Sequence, residues 1–97
     1  MEELIFVRSE NTLSFPIQNG IYIHNTDNDS FFSIEEGVGT YLWENFDGSK
    51  SVKEITLRMV EITEGCTYDD IKEDVFSFIE ELKIEGLIVL NLEELKA

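Results

Sequence analysis

The side chains with the most suggestive spacing for chemistry lie in one acidic stretch. Asn25, Asp27, Asp29 and Glu36 fall at positions 1, 3, 5 and 12 of a calcium-binding loop. Position 6 of such a loop needs glycine for its sharp turn, but here it is Ser30. The preceding residues, GIYI, are typical of a β-strand and not of the helix that a calcium loop follows. The spacing therefore predicts a polar hairpin loop.

Other reactive residue types nearby also lack the context that their chemistry needs. Asp29-Ser30-Phe31 is similar to the phosphopantetheine site of acyl carrier proteins, but that serine opens a helix and Ser30 opens a predicted strand. Gly37-Val38-Gly39 lacks the third glycine of a dinucleotide-binding loop. His24 has no serine or cysteine placed to be its nucleophile. We expect no catalytic residue, no metal site and no cofactor.

Length and charge narrow the class of protein further. The chain has 97 residues, enough for one domain, and we expect a single domain over residues 1–97. Twenty-one acidic and seven basic residues give a net charge of −14, which disfavours nucleic acid because phosphate binding depends on Lys and Arg. The single cysteine, Cys66, cannot form an internal disulfide.

The amino-terminal sequence indicates no targeting segment. Its apolar run, LIFV at 4–7, is shorter than a signal-peptide core and far shorter than a membrane span. We expect a cytoplasmic protein without membrane association.

Hydrophobic periodicity divides the chain into a strand region and a helix region. Three short apolar groups predict strands: LIFV at 4–7, IYI at 21–23 and SFFSI at 30–34. Apolar residues at helical spacing then predict three helices: Val38, Tyr41, Leu42 and Phe46; Val52, Ile55, Met59 and Ile62; and Ile71, Val75, Phe78 and Leu82. GLIVL at 86–90 follows a helix-stopping glycine and predicts a final strand or extended tail.

Capping residues locate the corners between the helices. Asp47-Gly48 predicts a sharp stop, and Ser51 with Glu54 matches a capping box for the next helix. Thr67 is the expected N-cap of the third helix. Together these features predict an α+β, winged helix-turn-helix-like domain, in which a three-stranded antiparallel sheet is followed by three helices.

Two stretches carry a family resemblance: SFFSIEEGVGTYLWENFDGSKSVKEI at 30–55 and DDIKEDVFSFIEELKIEGLI at 69–88. They resemble PqqD-like proteins, the small recognition elements for ribosomally made and later modified peptides, over roughly residues 15 to 90. The matching positions are Leu42-Trp43, Asp47-Gly48, Ser51-Val52, Asp74-Val75, Phe78-Ile79, Leu82 and Gly86-Leu87-Ile88. One departure is Glu35, where the family pattern has Asn.

The resemblance implies a non-enzymatic function. Such proteins bind the leader segment of a precursor peptide as an added strand, in a groove walled by the third helix, and present the peptide to a maturation enzyme. A radical S-adenosylmethionine enzyme is one candidate for that partner. An exposed edge strand also leaves open a homodimer.

The expected peptide-binding residues lie on one strand and one helix. The strand Ser30–Ile34 would be the edge, with Phe32 and Ile34 on one face and Phe31 and Ser33 on the other. The helix would contribute a second stripe at i, i+4, i+7 and i+11, made by Lys72, Phe76, Ile79 and Lys83. The sequence alone leaves open whether Phe76 and Ile79 line the groove or widen the core contact.

Two alternatives belong to other functional classes. An acidic winged-helix scaffold for a protein complex would need no peptide groove. An acyl-carrier-like protein would carry phosphopantetheine on Ser30.

Overall fold

The computed structural model describes residues 2–91. In that range the strands are β1 (Ile5–Arg8), β2 (Thr12–Ile17), β3 (Gly20–Asn25), β4 (Ser30–Glu35), β5 (Asp47–Ser51) and β6 (Ile88–Leu90). The helices are α1 (Val38–Asn45), α2 (Val52–Ile62) and α3 (Tyr68–Ile84). The predicted α+β fold, with a three-stranded antiparallel sheet and three helices, is confirmed.

The strands form two antiparallel sheets of three, in the orders β2-β3-β4 and β5-β1-β6. The prediction that LIFV belongs with IYI and SFFSI is wrong, because β1 pairs with β5 and β6 in the second sheet. The third strand of the sheet that contains IYI and SFFSI is instead β2, a strand that the sequence patterns did not predict. The final run at 86–90 does return as a strand, β6.

The β2-β3-β4 sheet is built from two consecutive hairpins. Ile17 pairs with Gly20 across the first turn, and Asn25 pairs with Ser30 across the second. The second turn is the predicted polar loop after β3. Gly20 has φ +149, and a Cβ there would collide with the backbone carbonyl of Ile34. Glycine at this position therefore lets β3 and β4 pair closely.

The predicted helix starts at α2 and α3 are confirmed by their caps. The Glu54 amide donates to Ser51 Oγ at 3.1 Å, and the Ser51 amide donates to Glu54 Oε1 at 3.3 Å. Thr67 and Asp70 form the same reciprocal pair at the start of α3. These bonds satisfy amides that the first helical turn leaves without partners. The predicted stop is present, since α1 ends at Asn45 and Gly48 has φ +85, but Asp47-Gly48 forms the start of β5 and not a turn.

One hydrophobic core lies between the helices and the inner faces of both sheets. The β2-β3-β4 sheet contributes Ile23 and Ile34, and α1 contributes Trp43, whose indole Nε1 donates to Ser14 Oγ on β2 at 3.2 Å. The other fully or nearly fully buried apolar side chains are Phe6, Leu42, Phe46, Val52, Ile55, Met59, Ile71, Val75, Ile79, Leu82, Leu87 and Ile88. No helix within residues 2–91 is long and apolar enough to cross a membrane.

Candidate functional site

Strand β4 lies at one side of the β2-β3-β4 sheet, and its outer edge pairs with no strand among residues 2–91. An unpaired edge is a row of hydrogen-bond donors and acceptors that a further extended chain can join. Which of its groups are available depends on how the β3–β4 ladder alternates.

A hydrogen bond just beyond the ends of β3 and β4 fixes that alternation. The Glu36 amide donates to the Asn19 carbonyl at 2.8 Å, which extends the β3–β4 register by one pair. In an antiparallel ladder every second residue exchanges bonds with its partner. The backbone groups of Phe31, Ser33 and Glu35 therefore point to the free side of β4, and we refer to them as the β4 edge.

The opposite side of the sheet has a different edge. The Thr26 amide donates to the Asn11 carbonyl at 2.8 Å, so the same alternation turns Thr12, Ser14 and Pro16 of β2 outward. Pro16 has no N–H to offer and its ring hinders an approaching strand. The sheet thus has one blunted edge and one edge suited to strand addition.

The predicted alternation of side chains along β4 is present. Phe32 and Ile34 point inward, where Ile34 is 4% exposed and Phe32 packs partly buried against the core. Phe31 and Ser33 point outward and are exposed. Ser30 opens the strand, and its hydroxyl and amide both donate to Asn28 Oδ1 in the turn. A peptide along β4 would meet main-chain groups between two rows of side chains.

Phe78 of α3 and Ile34 of β4 lie on either side of Gly39 in α1. The position of a Cβ on Gly39 of α1 would lie 2.6 Å from Cγ2 of Ile34 and 3.5 Å from Cζ of Phe78. Glycine at position 39 thus lets α1 pack closely against β4 and α3. Phe78 is partly buried and keeps part of its ring accessible. From the sequence, Phe78 was predicted only as part of the core-facing stripe of the third helix.

The four α3 residues predicted to form the groove wall lie on another side of the helix. Phe76 and Phe78 are about 200° apart around the helix axis, given 100° per residue. Ile79 is 0% exposed, so it is core, and Phe76 packs partly buried against the core. Ile79 therefore belongs to the core, and Phe76 lies on the side of α3 opposite to Phe78.

The two lysines of that stripe form ion pairs away from β4. Lys72 Nζ lies 3.2 Å from Glu2 Oε1 and 3.8 Å from Asp69 Oδ1, and Lys83 Nζ lies 3.5 Å from Glu80 Oε1. The hydrogen bond and charge of Glu2 raise the pKa of Lys72, and the same hydrogen bond lowers the pKa of Glu2. Lys72 thus holds the start of the described chain to α3.

A shallow apolar depression of about 370 Å³ lies just beyond the carboxyl end of β4. It is lined by Gly37, Val38, Tyr41, Met59, Ile62 and Thr63. Val38 and Ile62 are exposed in its walls. The depression offers a place for an apolar side chain close to the end of the β4 edge.

The described residues contain no cluster of three or more His, Cys, Asp or Glu side chains that could hold a metal ion. His24 Nε2 lies 2.7 Å from Asp29 Oδ1, and its ring stacks on Phe31 at 4.4 Å between centroids. Ser30 lies at the start of a strand and not of a helix. What the arrangement offers is main-chain pairing and apolar contact.

The fold and the open edge define a small α+β domain suited to binding an extended peptide. Residues 27–88 match the family model described as coenzyme PQQ synthesis protein D (PqqD). This range is more than half of the chain, so the chain belongs to the PqqD family, and the resemblance inferred from the sequence is confirmed. The match contains β4 and all three helices, whereas β2 lies outside it.

Two solved structures share the fold. TbiB1 in complex with the TbiA(beta) leader peptide has a TM-score of 0.75 and 18% identity, over 88% of this chain and 94% of that one. Lasso peptide synthetase B1 complexed with the leader peptide has a TM-score of 0.77 and 11% identity, over 87% of this chain and 96% of that one. No curated protein sequence matches this chain significantly.

Proposed function

We propose that this protein is a non-enzymatic adaptor that binds the leader segment of a ribosomal precursor peptide along β4 and delivers the peptide to a modifying enzyme. The observation that carries the proposal is the β4 edge, where the backbone groups of Phe31, Ser33 and Glu35 point to the free side of an antiparallel sheet. Membership of the PqqD family and the fold shared with two leader-peptide complexes support it.

Strand addition suits a binder that must hold many residues of a flexible chain. Main-chain hydrogen bonds supply affinity that depends little on sequence, and pockets beside the strand supply specificity. Here the depression beyond Gly37 is such a pocket, and the partly buried Phe78 ring, which packs near Ile34, offers a further apolar contact. We therefore expect a leader with apolar side chains at alternate positions.

The proposed contact set differs from the set expected from sequence. It keeps Ser30 to Ile34 and replaces Phe76 and Ile79 with Phe78, because Ile79 is buried and Phe76 lies on the other side of α3. Lys72 and Lys83 stay outside the set, since both already pair with carboxylates.

A proline at position 33 tests the proposal with little change to the fold. The Ser33 amide points away from β3, so Ser33→Pro removes a donor from the β4 edge without removing a ladder bond. Pro16 already occupies the corresponding outward position in β2. Ser33→Val is the matched control, because it keeps the N–H and favours a strand.

The three proteins are tagged and used to capture peptides from a lysate of the native host, and the peptides are identified by mass spectrometry. Wild type and Ser33→Val are expected to hold the same short precursor peptide. Ser33→Pro should hold at least about tenfold less, since a main-chain bond is lost and the ring blocks close approach. Equal capture by a folded Ser33→Pro protein, or no peptide with any of them, contradicts the proposal.

A further inference from the structure

The outer face of the β2-β3-β4 sheet carries a group of exposed apolar side chains, and only one of them, Phe31, belongs to the proposed peptide contact set on β4. Five large apolar residues there are between 39% and 52% exposed: Leu13, Phe15, Ile17, Tyr22 and Phe31. We refer to these five residues as the outer patch. Contiguous apolar surface of this kind marks a site of interaction in soluble proteins.

The strand register places these side chains together. Phe15 pairs with Tyr22 and Leu13 pairs with His24 across β2 and β3, and His24 pairs with Phe31 across β3 and β4. The Phe31 ring stacks on Tyr22 at 5.1 Å and on His24 at 4.4 Å between centroids. The patch therefore spans all three strands as one surface, with aromatic rings held in fixed positions.

The part of the chain that forms the outer patch has formal charges of only one sign. The segment 9–49, which contains the whole β2-β3-β4 sheet, has seven Asp and Glu residues and no Lys or Arg. Asp29 and Glu35 are exposed in or next to β4, near opposite ends of the outer face. A binding surface with an apolar centre and an acidic surround is complementary to a partner with basic residues at its rim.

We infer that the outer patch is the docking surface for the modifying enzyme, on a region of that enzyme with an apolar centre flanked by Lys or Arg. The inference rests on the proposed function for the identity of this partner. A second copy of the chain is disfavoured, because each copy carries a net charge of −14 and would bring acidic surfaces together.

Docking on this face also explains how the peptide would be handed over. A strand added to β4 extends the same sheet, and every second side chain of that strand then points to the outer face, on which Phe31 lies. The enzyme would contact the adaptor and the bound leader through one continuous surface. The β4 edge and the outer patch therefore have separate functions and adjoin each other.

Photo-crosslinking in the native host tests the docking surface. The crosslinking residue p-benzoylphenylalanine replaces Phe15 on β2, two strands away from the β4 edge. The control replaces Leu57 on α2, which is 45% exposed against 47% for Phe15. Crosslinks from position 15 are expected to reach a peptide-modifying enzyme, at a segment with apolar residues flanked by Lys or Arg, and those from position 57 are not.

The enzyme identified in this way is then used as the probe in a binding measurement. The double variant Leu13→Ser, Phe15→Ser should bind this enzyme at least about tenfold more weakly than wild type, whereas the control Leu57→Ser should bind it normally. Raising the salt concentration from about 0.05 to about 0.5 M should weaken the binding of the wild-type protein. The inference is overturned if position 15 crosslinks to a second copy or to no protein, if position 57 reaches the enzyme equally well, or if the double variant binds normally.

Peptide capture by the same double variant separates this inference from the proposed function. Retained peptide with lost enzyme binding supports both, since β2 does not contact the added strand. Enzyme docking at position 15 without any captured precursor peptide would leave the docking surface standing and overturn peptide binding at β4.

Discussion

The inner and outer faces of the β2-β3-β4 sheet differ in the exposure of their apolar side chains. Ile23 is 0% exposed, whereas Tyr22 beside it is 39% exposed. Ile34 is 4% exposed, whereas Phe31 on the same strand is 52% exposed. Because side chains alternate along a strand, one sheet both completes the core and presents an apolar surface. Burial in the core therefore accounts for only part of the high hydrophobicity of these strands.

The largest expected effect is the difference in stability between a truncation on the inner face and one on the outer face. Ile23→Ala removes fully buried methyl groups and should lower the free energy of unfolding by about 2–5 kcal/mol. Phe15→Ala should lower it by less than about 1 kcal/mol, because the ring is half exposed. Urea unfolding followed by circular dichroism measures both values. A loss at Phe15 as large as that at Ile23 would mean that the outer face supports the fold.

The two sides of α3 offer the next comparison. Phe78→Ala removes the ring beside Ile34 and Gly39 and should weaken binding of the captured precursor peptide by about 1–2 kcal/mol, roughly tenfold. Phe76→Ala should change that affinity by less than twofold, since its ring lies on the other side of the helix. Isothermal titration of both folded variants distinguishes them. The reverse order of effects would restore the groove wall expected from the sequence.

The smallest effect concerns the second sheet, which has no proposed binding function. The Ser49 hydroxyl, with help from the Ser49 amide and Lys50, lowers the pKa of Asp47 from 3.8 to about 2. A carboxylate with a lowered folded-state pKa stabilises the fold above its unfolded pKa and loses that contribution as the pH falls toward 2. Asp47→Asn keeps an acceptor and removes the charge.

This substitution should lower stability at neutral pH by less than about 1 kcal/mol, because the side chain is 39% exposed and solvent screens it. The difference from wild type should disappear between about pH 4 and pH 2 in thermal unfolding. A difference that persists at pH 2 would assign the effect to something other than the Asp47 charge.

Local patterns in the sequence were sufficient for the helices and their caps. The spacing of Val52, Ile55 and Met59 and the Ser51–Glu54 box depend on contacts within a few residues, and both appear in the structure. Strand β4 and the alternation of its side chains were also predicted. These features need no knowledge of which distant elements meet.

The errors concern features that depend on distant pairing. Strand β2 was missed although Leu13, Phe15 and Ile17 alternate with polar residues or Pro16, because a proline argues against a strand unless the strand is known to be an edge. The α3 groove wall predicted from sequence differs from the Phe78 side proposed from the structure, since periodicity shows that a helix has two apolar stripes but not which one faces a given strand. The closeness of Gly39 to both Ile34 and Phe78 is visible only once the chain is folded.

The central claim, that a peptide adds to β4, is tested most directly by amide hydrogen exchange. The probe is a synthetic peptide with the leader sequence of the captured precursor, and exchange is followed residue by residue by NMR. The Phe31, Ser33 and Glu35 amides should exchange at least about tenfold more slowly with the peptide, as they gain hydrogen bonds. The Phe32 and Ile34 amides, already bonded to β3, should change little, and so should Ser14 on β2. Protection at β2, or no protection along β4 when the peptide is bound, would contradict strand addition at β4.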